Sequence, residues 1–210
     1  MTEPDIHQVL VDPGARERLL RAATVLFARK GYAATTVREI VEAAGVTKPV
    51  LYYYFHSKEG LFQALCGLAI AAHDGVLEEI RQAPGTPTEK IRLLFDRVFA
   101  LIQENVEMVR VLDAVYYGPP DASPPFDFER LHGAFHLALR RFVEEGIACG
   151  ELQPGDAEIM ALALLGGWVI AKATSTSCHQ HGLGAEGMQR VTDLILDGLR
   201  AGGTGQGEKR

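Results

Sequence analysis

The sequence predicts an all-α protein of about nine helices, with an N-terminal three-helix helix-turn-helix head on a longer helical body. Three observations lead there. Apolar residues recur at helical spacing along nearly the whole chain, and the alternation of a half-buried strand is almost absent. Clusters of proline and glycine, "APGTPT", "YYGPPDASPPF", "CGELQPGD" and "HQHGLG", divide the pattern into segments of helix length. The composition, 47% apolar and 23% charged over 210 residues, suits a packed globular chain.

The first helix is expected to start at Asp12-Pro13, an N-cap followed by proline at the first helical position, and to stop at "RKG". Its apolar stripe is Leu19, Ala23, Leu26 and Phe27. Thr36 and Glu39 have capping-box spacing, which starts a short helix running to about Ala44. Gly45 then supplies a turn with positive φ. Thr47 caps the next short helix, with Pro49 in its first turn where the missing N–H is harmless. Ser57 caps a longer helix from about 58 to 81, and further helices are expected at about 87–104, 105–117, 125–149, 156–176 and 185–200.

The N-terminus "MTEPDIHQVL" has no basic region of the kind that opens a signal peptide, and no apolar run reaches the ~18 residues of a membrane span, so no membrane partner is expected. Three widely spaced cysteines, Cys66, Cys149 and Cys178, imply no disulfide framework and suit a reducing cytoplasm. The net charge of −6 hides an asymmetry. Residues 14–58 carry eight Lys/Arg against three Glu, and from Cys66 onward 13 Lys/Arg face 20 Asp/Glu. A basic head on an acidic body fits a polyanionic partner for the head alone.

Two short helices joined by a glycine turn make a helix-turn-helix. Ile40, Ala44, Val46 and Leu51 fall where they pack the pair together and onto the first helix. The second helix of the pair, "KPVLYYY", can then lay its outward face in a DNA major groove, which admits one helix. The segment "RERLLRAATVLFARKGYAAT" followed by "TVREIVEAAGVTKPVLYYYFHSKEGLFQAL" resembles the DNA-binding domain of the tetracycline-repressor (TetR) family of bacterial transcriptional regulators. The resemblance covers about residues 13 to 65 and matches the rest of the chain only in helix number and length.

That resemblance implies roles by position. Thr36 would meet a phosphate through its hydroxyl and the helix amides. Arg38, Lys48, Pro49, Val50 and Tyr53 would face the groove, with Arg38 and Lys48 toward guanine O6 and N7. Thr47, Tyr52, His56 and Lys58 would hold the DNA backbone, and Leu51 and Phe55 would be core. Tyr54 is left unassigned. Two departures from the family pattern stand out. Val41 replaces the usual alanine and would spread the helix pair slightly. Val50 replaces a small or hydroxylated residue, so readout there would be apolar, for instance against a thymine methyl.

A head of this size makes few phosphate contacts, and two-fold symmetry on an inverted-repeat operator is the usual solution. The last two helices suit self-association. "AEIMALALLGGWVIAKATS" is apolar round most of its surface, and Ala163, Gly166 and Gly167 permit close helix approach. The expected homodimer interface comprises Ile159, Leu162, Ala163, Gly166, Val169 and Ile170, with Met188, Val191, Leu194, Ile195 and Leu199 from the last helix. In the family the corresponding helices form a four-helix bundle. The middle helices concentrate aromatic residues, and small-molecule pockets are mostly apolar with a few polar anchors. Candidate effector-binding residues are Phe95, Phe99, Asp113, Tyr116, Tyr117, Phe126, Phe128, His132, Phe135, His136 and Trp168, with Arg97 a further polar candidate.

The chain thus divides into a flexible N-terminus (1–12), a helix-turn-helix domain (13–57), a helical effector-binding and dimerisation domain (58–200) and a disordered tail (201–210). The functional reading is a homodimeric regulator, a repressor released from DNA by a small apolar effector. The alternatives are an architectural or activating DNA-binding protein without effector, and a helical-bundle enzyme. No cofactor or metal is expected. "GLGAEG" follows no strand, and His132 and His136, though spaced i, i+4, lack a third ligand. The Cys178-His179-His181 cluster reads as a polar loop, with a metal or redox site as the other possibility.

Overall fold

The computed structural model of the chain describes residues 14–177 and 183–200, side chains at 120 and 174–177 excepted. Asp12-Pro13, the N-terminal segment 1–12, the tail 201–210 and the Cys178-His179-His181 loop lie outside the described residues. Among the described residues the regular structure is helical: α1 (Ala15–Ala34), α2 (Val37–Ala44), α3 (Lys48–Phe55), α4 (Lys58–Gln82), α5 (Pro87–Glu104), α6 (Val106–Tyr117), α7 (Phe128–Cys149), α8 (Ala157–Ser177) and α9 (Gly184–Leu199). A 3₁₀ turn spans Pro120–Ala122, inside the proline-rich breaker, and a single β-bridge pairs Leu152 with Arg200.

The packing separates two units. The first contains the described residues up to Ala71 together with Asn105–Phe128. Its core is Leu19, Ala23, Phe27, Ile40, Leu51, Phe55, Leu61, Phe62 and Val111, all buried. The boundary expected at 57/58 follows chain order, whereas the contacts place the start of α4 and the whole of α6 with the head. The reason is apolar: Leu61, Phe62 and Leu65 of α4 and Val111, Leu112 and Val115 of α6 pack against the same cluster as α1 to α3. Gly31 breaks the helical path inside α1 at φ 80° and ψ 163°, where the basic-glycine stop was expected.

The second unit contains Ala72–Glu104 and the described residues from Glu129 onward. Ile80, Ile91, Leu94, Phe95, Leu139, Val143, Leu164 and Leu196 form its core. The Glu151 carboxylate accepts hydrogen bonds from Thr88, from N at 3.1 Å and from Oγ1 at 2.8 Å, so a loop residue satisfies an otherwise orphaned amide at the start of α5.

One expectation about apolar runs is corrected. α4 is long and apolar enough to cross a membrane, with a mean hydropathy of 1.4 over its best stretch of 18 residues. The sequence scan missed it because His73 and Asp74 interrupt the run without lowering the average enough. Leu61, Phe62, Leu65 and Cys66 of this helix are buried in the first unit's core.

Candidate functional site

α2 begins with a complete capping box: the Glu39 amide donates to Thr36 Oγ1 at 3.3 Å, and the Thr36 amide donates to Glu39 Oε2 at 2.9 Å. Lys30 at the end of α1 donates to the same carboxylate. The Lys30 hydrogen bond, followed by those from Thr36, holds the Glu39 carboxyl down at about 2. Gly45 closes the helix in the left-handed region (φ 64°, ψ 37°), and Val46 N–H returns to Val41 O at 3.0 Å. Arg18 Nε donates to the Ala44 carbonyl at 3.0 Å, which ties the end of α2 to α1.

Thr47 stands at the N-cap of α3 in extended conformation, with Pro49 in the first turn as expected, but its side chain makes no capping hydrogen bond. α3 then sorts its residues by period. Val50, Leu51 and Phe55 are buried, and Tyr54 is half-buried against the same core. Lys48, Pro49, Tyr52, Tyr53 and His56 are exposed, the tyrosines by 47% and 57% respectively. Within α3 the exposed residues recur at i, i+1, i+4 and i+5, which is one face of a helix, and His56 follows at its C-cap. Thr36 and Arg38 are also exposed, and Arg38 Nε donates to Glu42 Oε1 at 2.7 Å while its side chain stays open to solvent.

Two DNA-facing assignments are corrected. Val50 is only 4% exposed and belongs to the head core, because positions 50, 51, 54 and 55 form the inner face of α3, opposite the one that carries 48, 49, 52 and 53. Lys58 is half-buried, and its ammonium donates to the carbonyls of Tyr32 (3.0 Å) and Thr35 (2.9 Å) while lying 4.1 Å from the Tyr32 ring centroid. Burial pulls its pKa below the ordinary lysine value. Lys58 therefore fastens the start of α4 to the end of α1. Tyr54, unassigned from sequence, lies on the inner side, edge-to-face with Tyr53 at 5.1 Å.

The corner after α3 is built by close approach. His56 adopts φ 63° and ψ −29°, the one non-glycine left-handed position among the described residues. Ser57 Oγ accepts from the Gly60 amide at 2.9 Å, and a Cβ on Gly60 would stand 2.0 Å from the Phe55 carbonyl oxygen. Sequence reasoning missed Gly60, Lys30 and Tyr32. Tyr32 packs on Phe27 at 5.3 Å and Phe62 at 5.2 Å, and "KGY" beside a helix stop was its only signal.

The expected effector residues do not form one group. Asp113, Tyr116, Tyr117, Phe126 and Phe128 belong to the first unit, where Tyr116 and Tyr117 are exposed. Phe95, Phe99, Phe135 and Trp168 are buried in the second unit. His132 is exposed, and His136 Nε2 lies 3.1 Å from Glu158 Oε1 of α8. Arg97 pairs with Glu79 at 2.9 Å on the surface. A cleft of about 250 Å³ in this unit is lined by Arg92, Asp96, Gln189, Thr192 and Asp193, none of them expected effector residues. Arg92 pairs with Asp193 at 2.6 Å across it. Burial raises the Asp96 pKa above the ordinary aspartate value.

The expected interface residues also divide. Ile159, Leu162, Ala163, Gly166, Val169 and Ile170 of α8 are exposed on one face, and Leu194 of α9 is exposed as well. Met188 is corrected: it is buried within the chain. Val191, Ile195 and Leu199 pack partly against the chain's own core. Gly167 serves an internal approach, since a Cβ there would lie 2.5 Å from Ile195 Cδ1, whereas Gly166 faces open space.

A model of the tetR family of bacterial regulatory proteins matches residues 19–65, the span that runs from the second turn of α1 through α2 and α3 and past the corner after them. The transcriptional repressor KstR2 of Mycolicibacterium smegmatis is 29% identical over 140 residues, 66% of this chain and 68% of that protein. The transcriptional activator FasR of the same organism is 34% identical over 100 residues, 46% of this chain and 44% of that one. The chain thus matches less than half of FasR's length. Among solved structures, PfmR of Thermus thermophilus, a TetR family regulator, superposes with a TM-score of 0.69 over 86% of this chain and 97% of that chain at 24% identity, which speaks to the fold.

Proposed function

We propose, on the premise that this chain belongs to the TetR family of bacterial regulatory proteins, that it is a homodimeric cytoplasmic repressor released from a palindromic operator by a small, largely apolar effector. It regulates transcription and is not an enzyme. The observation that carries the reading is the outer face of α3. Lys48, Pro49, Tyr52, Tyr53 and His56 are exposed together on a helix whose other face is locked into a core.

A rigid helix with an exposed cationic and phenolic face suits the major groove. Lys48 and Arg38 supply donors for guanine O6 and N7. Thr36, Thr47, Tyr52 and His56 supply contacts to phosphate oxygens, which position the head without reading sequence. Two heads in a two-fold dimer reach half-sites about 34–36 Å apart. The exposed apolar stripe of α8 with Leu194 of α9 is the surface for that pairing. An effector that binds better to a form unable to span the two half-sites shifts the population off DNA. Effector and operator affinities are then reciprocally coupled.

Selection of bound duplexes from a random pool tests the reading. An inverted repeat with half-sites one helical turn apart is expected. Failure to enrich any sequence overturns it.

A further inference from the structure

The second unit holds a cluster that the packing of a folded chain does not account for. Trp168 of α8 stacks on Phe95 of α5 at 5.8 Å and 17°, and leans on Phe135 of α7 at 5.4 Å. His73 of α4 meets the same Phe135 ring at 6.3 Å. Trp168 and His73 are more than nine-tenths buried, yet Trp168 Nε1 and His73 Nδ1 have no hydrogen-bond partner among the described residues. The nearest carboxylate oxygen to His73 Nδ1, on Asp74, stands at 3.9 Å, beyond hydrogen-bond reach. An indole N–H is a donor only, and a buried one normally finds an acceptor. Two such groups flanking one phenylalanine is an unusual arrangement, because each loses its water without gaining a partner.

We propose that His73, Phe95, Phe135 and Trp168 form the effector site, and that it takes a neutral, largely apolar molecule bearing a carbonyl oxygen, which accepts the Trp168 indole N–H. This deepens the effector-released repressor proposed above and rests on it. The carbonyl is the discriminating feature: the aromatic faces favour any apolar body, but only an acceptor satisfies the indole. Burial holds His73 below its ordinary pKa, so it presents a neutral imidazole, which can pair with an uncharged ligand and gives a carboxylate no fixed cation. The rings touch one another, so a ligand must part them to bind. Occupancy thereby shifts α4, α5, α7 and α8 together.

Trp168 is the only tryptophan of the chain, so the full-length protein labelled with ¹⁵N has a single indole N–H resonance. Acetophenone and cyclododecanone are the ketone probes, and ethylbenzene is the matched hydrocarbon without an acceptor. Both ketones are expected to move the indole resonance downfield and saturably. Acetophenone is expected to bind about tenfold more tightly than ethylbenzene by calorimetry, since a site with an unpaired donor rejects the analogue that lacks the acceptor. Trp168→Phe keeps the stack and loses the donor, and should erase that ratio. Should that variant not fold, the wild-type resonance decides alone.

An unmoved resonance at saturating ketone overturns the site, as does equal affinity for acetophenone and ethylbenzene. Release of operator by some other compound with the resonance unmoved overturns the site and leaves the repressor reading standing. A shifted resonance with operator binding unaffected keeps the site and removes its role as a switch.

Discussion

α3 and α8 each bury one face and expose the other, yet what they expose is opposite in kind. α3 shows solvent a lysine, two tyrosines and a proline, with a histidine at its C-cap. α8 shows it Ile159, Leu162, Ala163, Gly166, Val169 and Ile170. The first face keeps its polar atoms hydrated while it waits for a charged partner. The second has nothing to hydrate, and Ile170 at 66% exposure gains only by being covered. Exposure alone does not identify a functional surface; the chemistry of the exposed atoms tells a polyanion from a second apolar surface.

The largest effect should come from the apolar face. Ile170→Asp places one charge per protomer at a covered position and should cost association about 3–5 kcal/mol, the scale of an uncompensated buried charge. Sedimentation velocity should then show monomers, with operator affinity falling in parallel. A dimer that survives would remove α8 from the interface. Gly60→Ala attacks the support of the polar face. Its Cβ would collide with the Phe55 carbonyl oxygen, a backbone atom that cannot turn aside, so urea unfolding should show a loss of about 3 kcal/mol.

Smaller effects separate reading from support within the head. Lys48→Ala should cost operator binding about 1–3 kcal/mol and relax one base position, with stability unchanged. Lys58→Ala should do the reverse. It removes two charge-assisted hydrogen bonds to Tyr32 and Thr35 and should lower stability by roughly 1.5–3 kcal/mol, with base preference unaltered. The smallest effect is electrostatic. Glu39 has a folded pKa of about 2 against an ordinary 4.5, so its contribution is present above pH 4.5 and is lost as pH falls from there toward 2. Glu39→Gln should flatten that part of the stability-versus-pH curve, and an unchanged slope would show that the box contributes nothing in solution.

The head was legible in detail because its signals are local. Thr36 and Glu39 announce a cap three residues apart, Gly45 announces a left-handed turn, and both are realised as written. Val50 was misread because the resemblance placed it on the groove side, while the helix period puts it with Tyr54; a strict count of positions 50, 51, 54 and 55 would have found it. Lys58 could not have been read locally, since its partners are 23 and 26 residues away. The candidate effector residues were the least legible: both units carry aromatic residues, and only packing divides Tyr116 and Phe128 from Phe95 and Trp168.

By itself the sequence determined the helices, their stops and the two-faced recognition segment. Periodicity, caps and glycine turns act over three to eight residues and need no tertiary partner. Only the tertiary structure decided which apolar faces find a partner within the chain. Met188 and Ile170 look alike as residues, but one is buried and the other bare. The hydrophobic effect is non-directional, so it commits a side chain to a core only when a neighbouring helix arrives to meet it.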